Sequence, residues 1–168
     1  MMNITYRNAR PSDARGIVDL VEPYVNRRIL IAKELIAYFE DIQEFIVASD
    51  EEGNLVGCGA LHVLWDDLAE IRTLAVHPKC VKMGIGHQLL ERLEERARSL
   101  ELKRLFCLTF EVDFFAAHGY EPIDGTPVGI DVYQEMLRSH DDGVAEFLDL
   151  AKVKPNTLGN TRMLKELV

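Results

Sequence analysis

A strand, a glycine-containing loop and a helix follow one another in the stretch Leu74-Ala75-Val76-His77-Pro78-Lys79-Cys80-Val81-Lys82-Met83-Gly84-Ile85-Gly86. An amphipathic helix with Leu89, Leu90 and Leu93 on one face begins near Gly86. Glycines directly before a helix let backbone N–H groups approach a ligand, and the helix dipole favours an anion there. The stretch therefore predicts either a pyrophosphate-binding loop or an ordinary strand-to-helix turn, since such turns also use glycine. It lacks the three glycines of a dinucleotide fingerprint and the Gly-Lys-Ser/Thr of a Walker loop.

Hydrophobic patterns on either side of this loop predict the other elements. We expect strands over 4–8, 45–48, 55–65, 70–76, 104–110 and 120–123, an edge strand over 162–168, and helices after 11–13 and over 33–40, 86–100, 114–118, 132–137 and 144–150. This order predicts an α/β domain whose mixed, mostly antiparallel sheet is flanked by helices. We expect residues 1–168 to form one domain, with a core over 4–123 and an extension over 124–168 that completes the substrate side.

The net charge limits the kinds of partner that the protein is expected to bind. The 168 residues carry a formal net charge of −9, which argues against a phosphate-tracking nucleic-acid binder and against an anionic membrane surface. Residues 111–150 contain ten Asp and Glu and a single base, Arg138, so this segment holds the whole acidic excess. Within it, residues 139–142 are interpreted as a solvated turn.

The remaining composition indicates a protein without a metal site or membrane anchor. Cys58, Cys80 and Cys107 match no zinc pattern, and the five histidines lack ligand spacing, so no metal is expected. The N-terminus has no apolar signal core, and the longest mostly apolar run, 55–65, is far shorter than a membrane span. We therefore expect a cytoplasmic protein.

The loop and its surroundings resemble the acetyl-CoA site of the GNAT acetyltransferases. The resemblance rests on 74–78 followed by Gly84-Ile85-Gly86, on the opening 7–13, and on Phe114-Phe115-Ala116-Ala117-His118-Gly119-Tyr120. It implies acetyl-CoA as co-substrate. The residues that it assigns to the cofactor are Leu74, Ala75, Val76, Lys82, Met83, Gly84, Ile85, Gly86 and His87.

Two positions depart from the family pattern. Val81 stands where an Arg or Gln usually opens the phosphate loop, so backbone amides and Lys82 are expected to hold the pyrophosphate. Phe115 stands where a Tyr often protonates the leaving thiolate. Phenylalanine has no proton to give, so another group must act as the acid.

Further stretches resemble the acetyltransferase domain of the N-acetylglutamate synthases, in their short single-domain form. They are 59–61, 70–78, 105–109 and 159–164. The resemblance implies transfer of acetyl to the α-amine of L-glutamate, which supplies N-acetylglutamate for arginine biosynthesis. Many GNAT relatives self-associate, so a homodimer is also expected.

Acetyl transfer needs a neutral amine and a protonated leaving thiol, so the site needs a base and an acid. An α-ammonium loses its proton at about pH 8, and Glu70, at the start of the strand before the loop, is the candidate base. It matches the base position of the synthases. Thr109 matches a Ser/Thr position given the acid role there, and Tyr120 is the fallback donor. The backbone N–H near Leu74 would stabilise the oxyanion if the strand splays there.

Glutamate has two carboxylates, so its pocket needs cations. Arg72 lies two residues from Glu70 and therefore on the same face of the strand. Lys33 matches a basic substrate-binding segment of the synthases, and Arg162 with Thr161 matches their last substrate-contacting strand.

Three alternatives stay open. The acceptor could be another small acidic amino acid or its amide, such as aspartate or glutamine. The chain could be an acyl-CoA-binding regulator that has lost the chemistry. It could also be an interaction module that uses the acidic segment.

Overall fold

Seven strands form one sheet in the computed structural model, which describes residues 2–149 and 159–168. Their order across the sheet is β1-β2-β3-β4-β5-β7-β6, and only β4 and β5 are parallel. The expected fold class, a mostly antiparallel sheet flanked by helices, is thereby confirmed. The strands are β1 (Thr5–Asn8), β2 (Phe45–Ser49), β3 (Leu55–Val63), β4 (Leu68–Val76), β5 (Arg104–Thr109), β6 (Glu121–Pro122) and β7 (Thr161–Glu166).

In the described residues, six α-helices cover the two faces of the sheet. They are α1 (Ala14–Asn26), α2 (Leu35–Glu40), α3 (Ile85–Ser99), α4 (Val112–Ala117), α5 (Ile130–Met136) and α6 (Asp142–Phe147). Short 3-10 turns at Pro11–Asp13, Ile42–Glu44 and Pro78–Cys80 connect them to the strands. The predicted helix over 144–150 thus corresponds to α6, and its last residue, Leu150, lies outside the described residues.

The core has one cluster on the α3 side of the sheet and two on the opposite side. Leu89, Leu90 and Leu93 of α3 pack on the first face, as their helical spacing predicted. On the other face, α1 and α2 cover one half of the sheet with residues such as Ile17, whereas α5 and α6 cover the other half with residues such as Phe147. A seam remains between these two groups of helices.

The C-terminal strand does not lie at an edge, contrary to the sequence-based expectation. β7 is inserted between β5 and β6, with Leu108 opposite Arg162 and Pro122 opposite Met163. Period-two patterns specify the two faces of a strand but not its neighbours, so the position of β7 could not be read locally. The extension over 124–168 therefore contributes an interior strand to the sheet.

The parallel strands diverge beyond their first three residues. β4 pairs with β5 only over Leu68 to Glu70, although β4 continues to Val76 and β5 to Thr109. Along the same part of β4, the register with β3 shifts, and Thr73 takes a positive φ of 53°. A β-branched residue in this conformation is strained, and such strain clusters at functional sites. Leu74 therefore lies in the part of β4 that is no longer paired with β5.

Candidate active site

The glycine loop is exposed and leads directly into a long helix. Val81, Lys82, Met83 and Gly84 are exposed, whereas Ile85, the first residue of the 15-residue helix α3, is buried. Lys82 and Gly84 both have positive φ values, 67° and 79°. Left-handed residues in such a turn direct backbone N–H groups into an anion-binding concavity.

The loop also has the charge that a diphosphate requires. Residues 71–90 contain no Asp or Glu, so no acidic side chain of this stretch repels an anion. The Tyr24 hydroxyl of α1 donates to the Val76 carbonyl and so attaches the start of the loop to this helix. Next to this loop, β4 is no longer paired with β5, so backbone groups along this edge of β4 are available to an extended ligand. The residues present therefore fit a CoA diphosphate and its pantetheine arm.

His87 is engaged with side chains rather than free beside the loop. Its Nδ1 lies 2.6 Å from Nε2 of His118, and its Nε2 lies 3.1 Å from Oε1 of Glu91. His118 Nδ1 in turn lies 2.8 Å from the Phe114 carbonyl oxygen. The predicted cofactor contact of His87 stays a prediction.

A cavity in the seam between the helices on the second face brings together three of the predicted site residues. Glu70 and Arg72 of β4 line it together with Lys33 from the connection between α1 and α2. The other lining residues are Ile29, Leu30, Ile31, Ile71, Thr73, Leu108, Gly143, Glu146 and Asn160. A larger, more open depression lies around Trp65, in the turn before β4, and within the described part of the chain none of the predicted site residues lines it.

Arg72 is buried between two carboxylates. Its Nε donates to Oε1 of Glu70 at 2.8 Å, and its Nη2 lies 2.9 Å from Oδ1 of Asp141, without hydrogen-bond alignment. Burial lowers the pKa of Arg72, but the charges of Glu70 and Asp141 outweigh it and raise the pKa above its usual value. The guanidinium charge is thus already balanced inside the protein.

Lys33 is the other cation of the cavity. Its Nζ lies 5.9 Å from the centre of the Tyr38 ring, and no ion pair of Lys33 occurs among the described residues. Burial, and then the positive charge of Arg72, lower the pKa of Lys33. An ammonium in this setting is suited to bind a ligand carboxylate.

Thr109 lies on the other face of the sheet from Glu70. Leu105 and Cys107 of β5 pack on the α3 side, and alternation along the strand places Thr109 there too. Its Oγ1 accepts the N–H of Glu111 at 2.8 Å. The hydroxyl proton is left to donate elsewhere, so the acid role stays a prediction.

Tyr120, the predicted fallback donor, is engaged with a side chain of α3. It is buried in the core against α3, where its hydroxyl donates to Oε2 of Glu94 at 2.8 Å. Burial and the Glu94 charge raise its pKa above the usual value. The hydroxyl proton is thus engaged with Glu94, and the donor role of Tyr120 stays a prediction. Phe115 packs edge-on against its ring at 5.1 Å.

Arg162 contacts the protein backbone instead of the cavity. Its guanidinium donates to the carbonyl oxygens of Gly125, Glu146 and Phe147, and it lies 5.0 Å above the Phe106 ring. It therefore holds the end of α6 on the sheet. Thr161, its neighbour, is opposite Thr109 in the strand pairing. Direct substrate contacts of both residues stay predictions.

The cavity includes residues that sequence reasoning missed. Glu146 lines the cavity and Asp141 contacts Arg72, one of the lining residues. No acidic residue of the segment 111–150 was assigned to the site, and residues 139–142 were interpreted as a solvated turn. Asn160 lies within the C-terminal stretch that carried the resemblance, and that stretch was the only signal for it. The contact between Asp141 and Arg72 spans 69 positions of the sequence, so no local pattern could reveal it.

Residues 2–149 and 159–168 contain neither a candidate metal centre nor a candidate membrane-spanning helix. No group of three or more His, Cys, Asp or Glu side chains lies close enough together to hold a metal. None of the helices in these ranges has the length and apolar content needed to cross a membrane.

The sequence is similar to proteins of known family. An amino-acid acetyltransferase of Mycobacterium tuberculosis is 56% identical over 160 residues, which are 94% of this chain and 91% of that protein. An amino-acid acetyltransferase of Pseudomonas fluorescens is 37% identical over 118 residues, 69% of this chain. The chain matches only 27% of the length of that longer relative.

Solved structures share the fold. A Mycobacterium tuberculosis protein in complex with CoA and a second ligand has a TM-score of 0.93 at 55% identity, covering 98% of this chain and 99% of that chain. N-acetylglutamate synthase from Neisseria gonorrhoeae, complexed with CoA and N-acetyl-glutamate, has a TM-score of 0.78 at 24% identity, covering 99% and 35%. The second likeness is one of fold.

The family itself is identified by a match over residues 17–121, which include the loop, α3 and the Glu70 strand. This confirms the resemblance and the enzyme class that the sequence predicted. The chain belongs to the acetyltransferase (GNAT) family, whose acetyl donor is acetyl-CoA.

Proposed function

We propose that this acetyltransferase transfers the acetyl group of acetyl-CoA to the α-amine of L-glutamate, giving N-acetylglutamate for arginine biosynthesis. The observation that carries the proposal is the meeting of Lys33, Glu70 and Arg72 in one cavity beside the β4–β5 opening. The amino-acid acetyltransferases at 56% and 37% identity support an amino acid as acceptor.

Acetyl-CoA supplies the activated acetyl thioester. The loop amides from Val81 to Gly86 and the start of α3 would hold its diphosphate, and Lys82 would add a positive charge. The free backbone edge of β4 would align the pantetheine arm, and the N–H near Leu74 would stabilise the developing oxyanion.

Glu70 would accept the proton of the attacking amine, directly or through one water. Its carboxylate is buried, and among the described residues only Oε1 is bonded, to Arg72. The second oxygen is therefore left to accept a proton. Lys33 would bind the α-carboxylate. Because Glu70 and Thr109 lie on opposite faces of the sheet, a thioester in the strand opening would have its base on one side and its acid on the other.

One observation favours an acceptor other than glutamate. Arg72 is already balanced by Glu70 and Asp141, so Lys33 is the cavity's cation without an ion pair among the described residues. One cation matches one carboxylate. An acceptor with an uncharged side chain, such as glutamine, therefore remains the alternative to glutamate.

An acceptor panel tests the activity. Release of CoA is measured with glutamate, glutamine, aspartate and asparagine, and N-acetylglutamate formation is checked by mass spectrometry. Turnover with glutamate is expected, and turnover with glutamine alone would replace the proposal by the alternative. Rescue of an arginine auxotroph that lacks N-acetylglutamate synthase tests the assignment to arginine biosynthesis. If wild-type protein turns over no amine but binds acetyl-CoA, the regulator alternative is correct.

The role of Glu70 is tested with Glu70→Gln. We expect kcat to fall by about 10²–10⁴-fold, while the Kd for CoA measured by calorimetry is unchanged. Asp66→Asn is the matched control, because Asp66 is an exposed acid in the turn that precedes β4. Equal kcat values for the two variants would remove Glu70 from the mechanism.

A further inference from the structure

The first turn of α6 lies directly on the Arg72 side chain. Asp141 caps this helix: its Oδ1 accepts the N–H of Val144 at 2.9 Å. The same oxygen lies 2.9 Å from Arg72 Nη2. One carboxylate thus joins the start of α6 to a guanidinium that belongs to the central strand β4.

Gly143 allows this close approach. A Cβ atom built on Gly143 would lie 2.5 Å from Cζ and Nη2 of Arg72 and 3.0 Å from its Nε. These distances are far below van der Waals contact, and they involve the planar group of a side chain that is 8% exposed. Glu70 holds Nε from the other side. Any larger residue at 143 must therefore displace either the helix or the guanidinium.

The charges in this contact depend on Asp141. A buried guanidinium next to backbone N–H groups at the start of a helix is electrostatically unfavourable, because both are positive. Nη2 is a buried nitrogen without an aligned hydrogen-bond partner among the described residues, so the charge of Asp141 is its compensation from α6. Burial raises the pKa of Asp141, but the charge of Arg72 opposes this effect, and the pKa lies below its usual value.

We propose that Asp141 and Gly143 are positioning residues of the acceptor site: together they fix the Arg72 guanidinium, which holds Oε1 of Glu70 and so presents the other oxygen of Glu70 to the amine. The inference rests on the proposed role of Glu70. It gives one residue of the acidic segment a function in the site.

The decisive variant is Asp141→Asn. Asparagine caps helices about as well as aspartate, so this change removes the charge on Arg72 while it retains the bond to Val144. We expect kcat to fall by about tenfold, since small misplacements of catalytic groups have effects of this size or larger. The KM for acetyl-CoA should stay close to wild type. The melting temperature should fall, because the buried guanidinium loses one of its two carboxylates, so kcat is measured well below that temperature. Asp142→Asn, the same change at the exposed neighbouring residue, should stay within about twofold of wild type.

A double-mutant cycle shows whether Asp141 acts through Arg72. In an Arg72→Lys background, Asp141→Asn should have almost no further effect on kcat. Gly143→Ala should lower kcat in the same way, whereas Gly129→Ala should not, because a Cβ at Gly129 meets open space. Additive effects in the cycle, or equal kcat values for the Asp141 and Asp142 variants, would overturn the proposal.

An NMR measurement keeps this proposal separate from the proposed function. The Nε–H signal of Arg72, assigned by its loss in Arg72→Lys, should be protected from exchange in wild type and in Asp142→Asn. It should lose protection in Asp141→Asn. If the wild type acetylates no amino acid, the proposed function fails, and this signal still establishes whether Asp141 fixes Arg72. Unchanged protection in Asp141→Asn would refute the positioning role.

Discussion

At the scale of single residues, the proposed acceptor site contains a lysine whose charged form is disfavoured. Lys33 lies in the connection between α1 and α2, where burial and the nearby Arg72 charge lower its pKa. Asp141, Asp41 and Glu70 oppose this shift only in part. An ordinary lysine stays protonated to about pH 10. Lys33 therefore loses its charge at a lower pH than a surface lysine.

This predicts a pH-dependent affinity for the acceptor. Only the protonated ammonium binds a carboxylate, so the KM for the acceptor should rise as the pH passes upward through the lowered pKa of Lys33. In Lys33→Arg the charge persists at all accessible pH values, and the rise in KM should disappear. Initial rates from pH 7 to pH 10 measure this effect.

Lys79→Arg is the control for this experiment, since Lys79 is exposed in the 3-10 turn after β4. It should reproduce the wild-type profile. If Lys33→Arg retains the alkaline rise in KM, Lys33 does not bind the acceptor carboxylate.

At the scale of elements, the position of α3 depends on glycines in β3. A Cβ at Gly57 would lie 2.9 Å from side-chain carbons of Ile85 and Leu89, and a Cβ at Gly59 would lie 2.8 Å from Leu93. Because these two glycines have no side chains, α3 approaches β3 closely at both positions. Since Ile85 directly follows the glycine loop, the same packing also sets the position of the loop.

We therefore expect Gly57→Ala to affect both stability and cofactor binding. Overpacking of this kind costs about 1–3 kcal/mol, which urea unfolding should detect. Because the nearest atoms belong to the first turn of α3, the KM for acetyl-CoA should rise more than the KM for the acceptor. Gly129→Ala, in open space, should change neither. An equal rise in both KM values would contradict this coupling.

At the scale of the whole molecule, a buried network of hydrogen bonds joins the C-terminal strand β7 to α3, the long helix on one face of the sheet. Glu94 of α3 is 4% exposed and accepts hydrogen bonds from Tyr120 and from Lys165 of β7, the latter at 3.0 Å. The three residues come from widely separated parts of the chain. Their contact fixes the inserted strand β7 to the helix that follows the cofactor loop.

Glu94→Gln should destabilise the whole protein. Removing one partner of a buried pair leaves the other charge uncompensated, which costs about 3–5 kcal/mol for fully buried pairs. Lys165 is partly exposed, so we expect roughly 2–3 kcal/mol, at the lower end. The free energy of unfolding in urea measures this loss. Glu91→Gln, an exposed change on the same helix, should be nearly neutral, and an equal loss there would show that the effect is not due to burial.

The sequence by itself determined the local elements and the cofactor loop. The spacing of Leu89, Leu90 and Leu93 predicted α3, and the glycines before it predicted an anion-binding loop, because these signals lie within a few residues of one another. The pairing of Glu70 with Arg72 on one face also followed from strand alternation. Membership of the acetyltransferase family was carried by the same local motifs.

Only the tertiary structure decided which distant residues meet. In the folded chain, β7 lies between β5 and β6, and Tyr120 is buried against Glu94. Arg162 contacts the end of α6, and Asp141 contacts Arg72. Each of these contacts joins segments that are far apart in the chain. Helical and strand periodicity specify which face of an element is apolar, but not which element covers that face, so the contacts of the acceptor site follow from the packing of the whole chain.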